Sequence, residues 1–104
     1  MEDDREILDS VVEAFIDEAP LLLQQLDDAI KSQDATTAER AAHTLKGNFR
    51  ILRLDDQQAC WAEIEAAIRT DGDSRIAEKI ELAREITQKA LDGLRQYLEQ
   101  NSTL

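Results

Sequence analysis

Glycine, proline, cysteine and aromatic residues are all scarce in this chain of 104 residues, with three glycines, one proline, one cysteine and 4% aromatics. So few glycines and prolines weigh against a fold of many tight turns and favour long helices joined by short connections. A lone Cys60 rules out an internal disulfide and suits a reducing compartment. With aromatics scarce, the core must be built from leucine, isoleucine, valine and alanine. Basic residues are also in short supply: 12 Lys and Arg stand against 23 Asp and Glu, a formal net charge of −11. That charge favours solubility and argues against nucleic acid or an anionic membrane as partner. No apolar run approaches the roughly 20 residues of a membrane span, and the opening Met1-Glu2-Asp3-Asp4-Arg5 has the wrong charge for a secretory signal. The expectation is one acidic, cytoplasmic, all-α domain over 1–104, large enough for a single core.

What is present is helical periodicity. Ile7, Leu8, Val11, Val12, Phe15, Ile16 and Ala19 form a wide apolar stripe, with Asp3 and Asp4 suited to its N-terminal end. Pro20 lacks an amide donor, so a break or kink is expected there, followed by a second helix through Leu22, Leu26, Ala29 and Ile30. Ser32-Gln33-Asp34 is a turn, and Asp34 or Thr36 caps a helix of about 35–53, with boundaries good to roughly ±2–4 residues. After Leu54-Asp55-Asp56, with Asp55 as cap, a further helix turns Cys60, Ile64, Ala67 and Ile68 inward. Gly72 suits a left-handed C-terminal cap. The last helix carries Ile76, Ile80, Ala83, Thr87, Ala90, Leu94 and Leu98, with Gly93 inside it. Short connections favour antiparallel neighbours, so the expected fold is an up-down four-helix bundle with an additional N-terminal helix.

The only histidine, His43, lies inside the 35–53 helix. Ala38, Ala42, Leu45, Phe49 and Leu52 form that helix's core stripe, and His43 points roughly 160° from Leu45, toward water. Lys46 and Gly47 stand one turn along, beside it. Lys46 is placed to neutralise an anionic group on the imidazole. Gly47 costs about 1 kcal/mol in a helix interior, so its presence implies close approach of another surface or tight helix packing. Arg40, Lys46, Arg50 and Arg53 make this helix basic within an acidic chain, which points to an anionic ligand or acidic partner. A metal site is not expected, since no second histidine and no cysteine stands at ligand spacing. A serine triad is not supported either, because Ser10, Ser32, Ser74 and Ser102 lie near helix ends or turns without an elbow motif.

Ala41-Ala42-His43-Thr44-Leu45-Lys46-Gly47 resembles the signature of histidine-containing phosphotransfer (HPt) domains, carriers in two-component phosphorelays. Phe15-Ile16-Asp17-Glu18-Ala19-Pro20-Leu21-Leu22 is similar to that family's segment before the histidine helix. Cys60 through Glu65 resembles its cysteine-containing stretch on the next helix. One departure stands out. The family usually continues with small residues and a second glycine, where this chain has Asn48-Phe49-Arg50-Ile51-Leu52-Arg53-Leu54, with Arg53 at the expected glycine.

The resemblance implies that His43 accepts a phosphoryl group from a receiver-domain aspartyl phosphate and passes it to another receiver. Lys46 would stabilise the phosphoryl oxygens and Gly47 would clear space for the partner. Arg40, Arg50, Trp61 and Arg69 are the candidate partner-contact residues; Trp61 reads as a docking anchor or a bundle-edge residue. Glu65 is expected to point aside, because a carboxylate beside phosphohistidine is repulsive. The chain would bind no cofactor of its own, and Mg²⁺ would come with the receiver. Implied partners are response-regulator receiver domains, with a hybrid histidine kinase as a further candidate, and a monomer is expected. The chain has no Gly-rich nucleotide motif, so it reads as a phosphotransfer intermediate rather than a self-sufficient enzyme. A sensor-kinase dimerisation helix pair is disfavoured, since Thr44 rather than an acidic residue follows His43. An acidic bundle mimicking nucleic acid would leave the basic helix unexplained. The remaining alternative is a phosphorylation-incompetent HPt-like module that only docks a receiver, a reading sustained by Arg53.

Overall fold

The computed structural model describes residues 2–70 and 76–102. Among them are four helices and no strand: α1 Glu2–Lys31, α2 Ala35–Ile51, α3 Asp55–Thr70 and α4 Ile76–Ser102. Packing follows the ring α1–α2–α3–α4–α1, with α2 against α3 the most extensive pair and α1 against α4 the least. This is the antiparallel up-down bundle that the short connections imply. The additional N-terminal helix is not separate: α1 runs unbroken through Pro20. Proline removes one amide donor, but Pro20 is exposed, so water can satisfy the Ile16 carbonyl left without it. Ala19, Leu22, Leu23 and Leu26 around it are all buried. Their shared packing keeps the helix continuous through a local breaker.

Length mismatch shapes one end of the bundle. α1 has 30 residues and α2 has 17, about 45 and 25 Å at 1.5 Å per residue. Phe15 meets Phe49 edge-to-face with ring centroids 4.9 Å apart, so the first turns of α1 run past the end of α2. Ile7 and Leu8 are accordingly exposed rather than core, while Val12, Phe15 and Ala19 are buried as the stripe implies. The rest of the core comes from Leu45 and Phe49 of α2, Trp61, Ile64 and Ile68 of α3, and Ile80, Ala83 and Leu91 of α4.

The two described turns share one construction. At the end of α1, Gln33 N–H donates to Ile30 O and Asp34 N–H to Ala29 O; at the end of α2, Arg53 N–H donates to Arg50 O and Leu54 N–H to Phe49 O. Both are Schellman closures, whose penultimate residue sits in the left-handed region that favours glycine. Gln33 and Arg53 each have φ 60°. Asp34 then caps α2, its carboxylate accepting Thr37 N–H at 3.1 Å and the Thr37 hydroxyl at 2.6 Å. These bonds, the hydroxyl first, hold the Asp34 carboxyl below its ordinary range. Leu54, not Asp55, opens α3: its carbonyl accepts Gln58 N–H at 2.9 Å, and Asp55 and Asp56 complement the dipole from the first turn. The expected Gly72 cap lies outside the described residues.

Candidate functional site

His43 stands on the outer face of α2 with 64% of its side chain exposed, opposite the Ala38, Ala42, Leu45 and Phe49 stripe that is buried below it. Its ring is not free. Nδ1 lies 2.8 Å from Oε2 of Glu65 on α3. The sequence reading that turned Glu65 aside is therefore corrected: Glu65 is buried, with 7% of its side chain exposed, and reaches straight to the histidine. Burial without partners would make this carboxylate costly. Three donors satisfy it: Lys46 Nζ to Oε1 at 2.6 Å, His43 Nδ1, and Arg69 Nη2 to Oε2 at 3.2 Å. The Lys46 bond above all, with His43 assisting, holds the Glu65 carboxyl below its ordinary range against the opposing effect of burial.

An ionised carboxylate only accepts, so His43 Nδ1 bears the N–H and donates the hydrogen bond to Glu65, which selects this tautomer whenever the ring is neutral. The lone pair is then on Nε2. One carboxylate thus sets the tautomer, orients the ring and anchors the nearest lysine, which lies one turn along α2.

Arg69, one turn after Glu65 on α3, also donates from Nε to Oε1 of Glu39 at 3.0 Å. Thr36, Glu39, Arg40, His43, Glu65 and Arg69 line a shallow groove of about 360 Å³ between α2 and α3. Arg40 thus shares the groove with the histidine. Arg50 is exposed two turns further along α2. An added Cβ at Gly47 meets no atom within 4 Å, so tight packing inside the bundle does not require this glycine. His43, Gly47 and Ile51 follow an i, i+4, i+8 row, and Ile51 is 64% exposed.

Trp61 is not a surface residue. It is fully buried, and its Nε1 donates to Thr87 Oγ1 of α4 at 2.9 Å. The partner-contact role is corrected by this rotation of α3, which sends its indole into the core. A readable signal existed: Trp61, Ile64, Glu65 and Ile68 are spaced i, i+3, i+4, i+7, and a carboxylate on such a stripe must find partners. Among the described residues no group of three or more His, Cys, Asp and Glu side chains is placed to hold a metal ion, and no helix is long and apolar enough to cross a membrane.

The site is thus an exposed imidazole, held through Nδ1 and flanked by a lysine, on the outer face of a helical bundle. A family model described as Hpt domain matches residues 10–102, nearly the whole chain, and the chain belongs to that family. Hpt domains are phosphotransfer carriers of two-component systems and interact with receiver domains. No curated protein and no solved structure matches the chain.

Proposed function

We propose that His43 is the phosphoacceptor of a phosphorelay carrier. Its Nε2 attacks the phosphorus of a receiver's aspartyl phosphate, the N–P bond forms, and the acyl-phosphate P–O bond breaks to release the aspartate carboxylate. The reverse geometry hands the group to a second receiver. The observation that carries this reading is the exposed ring with Nδ1 already committed to Glu65. Phosphoryl transfer depends chiefly on in-line positioning and charge neutralisation. Glu65 supplies the first, and Lys46 the second. The open space at Gly47 admits the partner's backbone beside the reacting atom, and exposed Ile51 offers an apolar contact further along the row. Arg40 and Arg50 give this face a positive edge toward an acidic receiver site. Mg²⁺ comes with the receiver in this reading, and the chain acts as a cytoplasmic monomer that keeps the His43 face open to its partner.

Arg53 gives little support to a docking-only module. It occupies the turn position that favours glycine for backbone reasons, ten residues beyond His43. The test is transfer from labelled phospho-receivers to the wild type and to His43→Gln. Acid-labile label on the wild type alone is expected; binding without label on the wild type would overturn the proposal.

A further inference from the structure

The site holds one cation more than a simple carrier requires. Buried Glu65 faces both Lys46 and Arg69. Phosphorylation of His43 would add about −1.5 to −2 charges beside them. Yet Lys46 is already engaged, 2.6 Å from Glu65 Oε1. Were it to leave a Glu65 that had no second cation, the carboxylate would keep only the histidine N–H, and a buried charge that loses its compensating partner is strongly destabilising.

Arg69 removes that conflict. Its guanidinium bonds Glu65 Oε2 at 3.2 Å and Glu39 Oε1 at 3.0 Å. Glu39 lies one turn before His43 on α2, so it holds the guanidinium across the α2–α3 gap. Resting on the carrier reading, we infer that Arg69 is a positioning residue: held by Glu39, it remains on Glu65 as counter-charge while Lys46 Nζ turns from Glu65 to the phosphoryl group on His43. Only hydrogen bonds exchange in this step. Lys46 keeps its three protons, and Glu65 keeps His43 Nδ1–H and Arg69.

The experiment loads His43 with phosphoramidate, which needs no receiver: Nε2 forms the N–P bond, the donor's own P–N bond breaks, and ammonia leaves. Wild type, Arg69→Ala, Arg69→Lys, Glu39→Gln and Lys46→Ala are compared, with decay of phosphohistidine followed by phosphorus NMR and the Lys46 ammonium resonance followed alongside. In the wild type, phosphorylation shifts the Lys46 resonance. Arg69→Ala loses that shift and shortens the phosphohistidine half-life by roughly three- to tenfold, the scale of one charge-assisted contact. Arg69→Lys restores most of the lifetime, Glu39→Gln has an intermediate effect, and Arg69→Ala adds little in a Lys46→Ala background. An unchanged half-life and an intact Lys46 response in Arg69→Ala would overturn the inference. The carrier reading fails separately, if receivers exchange nothing with the wild type while the chemically loaded variants still rank in this order.

Discussion

Trp61 and Glu65 stand one turn apart on α3, both buried, and they work in opposite ways. Trp61 sends its N–H inward to Thr87, a single neutral donor meeting a single neutral acceptor in a region closed on every side. Glu65 sends a carboxylate outward to three donors, of which His43 and Arg69 are themselves mostly exposed. The indole's bond can be lost only by disrupting the bundle. The carboxylate's bonds can be exchanged for others without unfolding anything. One helix face thus divides into a structural turn and a chemical turn, and the difference lies in whether the partner side chains reach water.

The largest effect should come from the closed side. Trp61→Ala opens a cavity and orphans Thr87, and should cost about 3–5 kcal/mol in urea unfolding; a loss below about 1 kcal/mol would erase the distinction. Glu65→Gln tests the open side. It keeps an acceptor for Nδ1 but discards the charge, and should slow transfer roughly tenfold, the scale of a hydrogen bond to a charged group. A pH titration sharpens this further. The folded Glu65 carboxyl titrates below the ordinary glutamate value of 4.5, chiefly through the Lys46 bond, so its contribution to stability is fully present above that value and is lost as pH falls through the folded one. Urea titrations should therefore show a shallower acid loss below about pH 4.5 in Glu65→Gln than in the wild type.

Gly47→Ala should separate folding from docking. Its Cβ finds open space, so thermal unfolding should show about 1 kcal/mol of added helix stability, while receiver binding measured by calorimetry weakens. Unchanged binding would remove the clearance role. Smallest of all, Arg53→Gly should stabilise the α2–α3 turn by up to about 1 kcal/mol and leave transfer rates alone, since Arg53 belongs to neither side of the comparison.

The sequence made the helices legible because their apolar spacing and turns agree. It also placed His43 outside, since the α2 stripe fixes the rotation of that helix. Pro20 misled because a local rule was outweighed by apolar residues buried on both sides of it, Phe15 and Ala19 before and Leu22, Leu23 and Leu26 after. Trp61 and Glu65 were harder for a different reason. A stripe drawn through Cys60, Ile64, Ala67 and Ile68 leaves Trp61 at its edge, whereas the row that packs inward is Trp61, Ile64, Glu65 and Ile68. Glu65 is expected aside because a carboxylate repels a phosphohistidine, a rule that leaves out the two cations, Lys46 and Arg69, that meet it in the fold. At Arg53 the left-handed φ of 60° supplies a backbone reason for expecting glycine there: the turn needs that conformation, and arginine adopts it at a modest cost.

The central claim is that Glu65 commits Nδ1 and leaves Nε2 as the acceptor. It is tested most directly by phosphorylating the protein from a phospho-receiver and recording the His43 ring by nitrogen and phosphorus NMR. A phosphoryl group on Nε2, with the Nδ1 proton retained and lost from protection in Glu65→Ala, is the predicted result. A phosphoryl group on Nδ1, or on any residue other than His43, would contradict it.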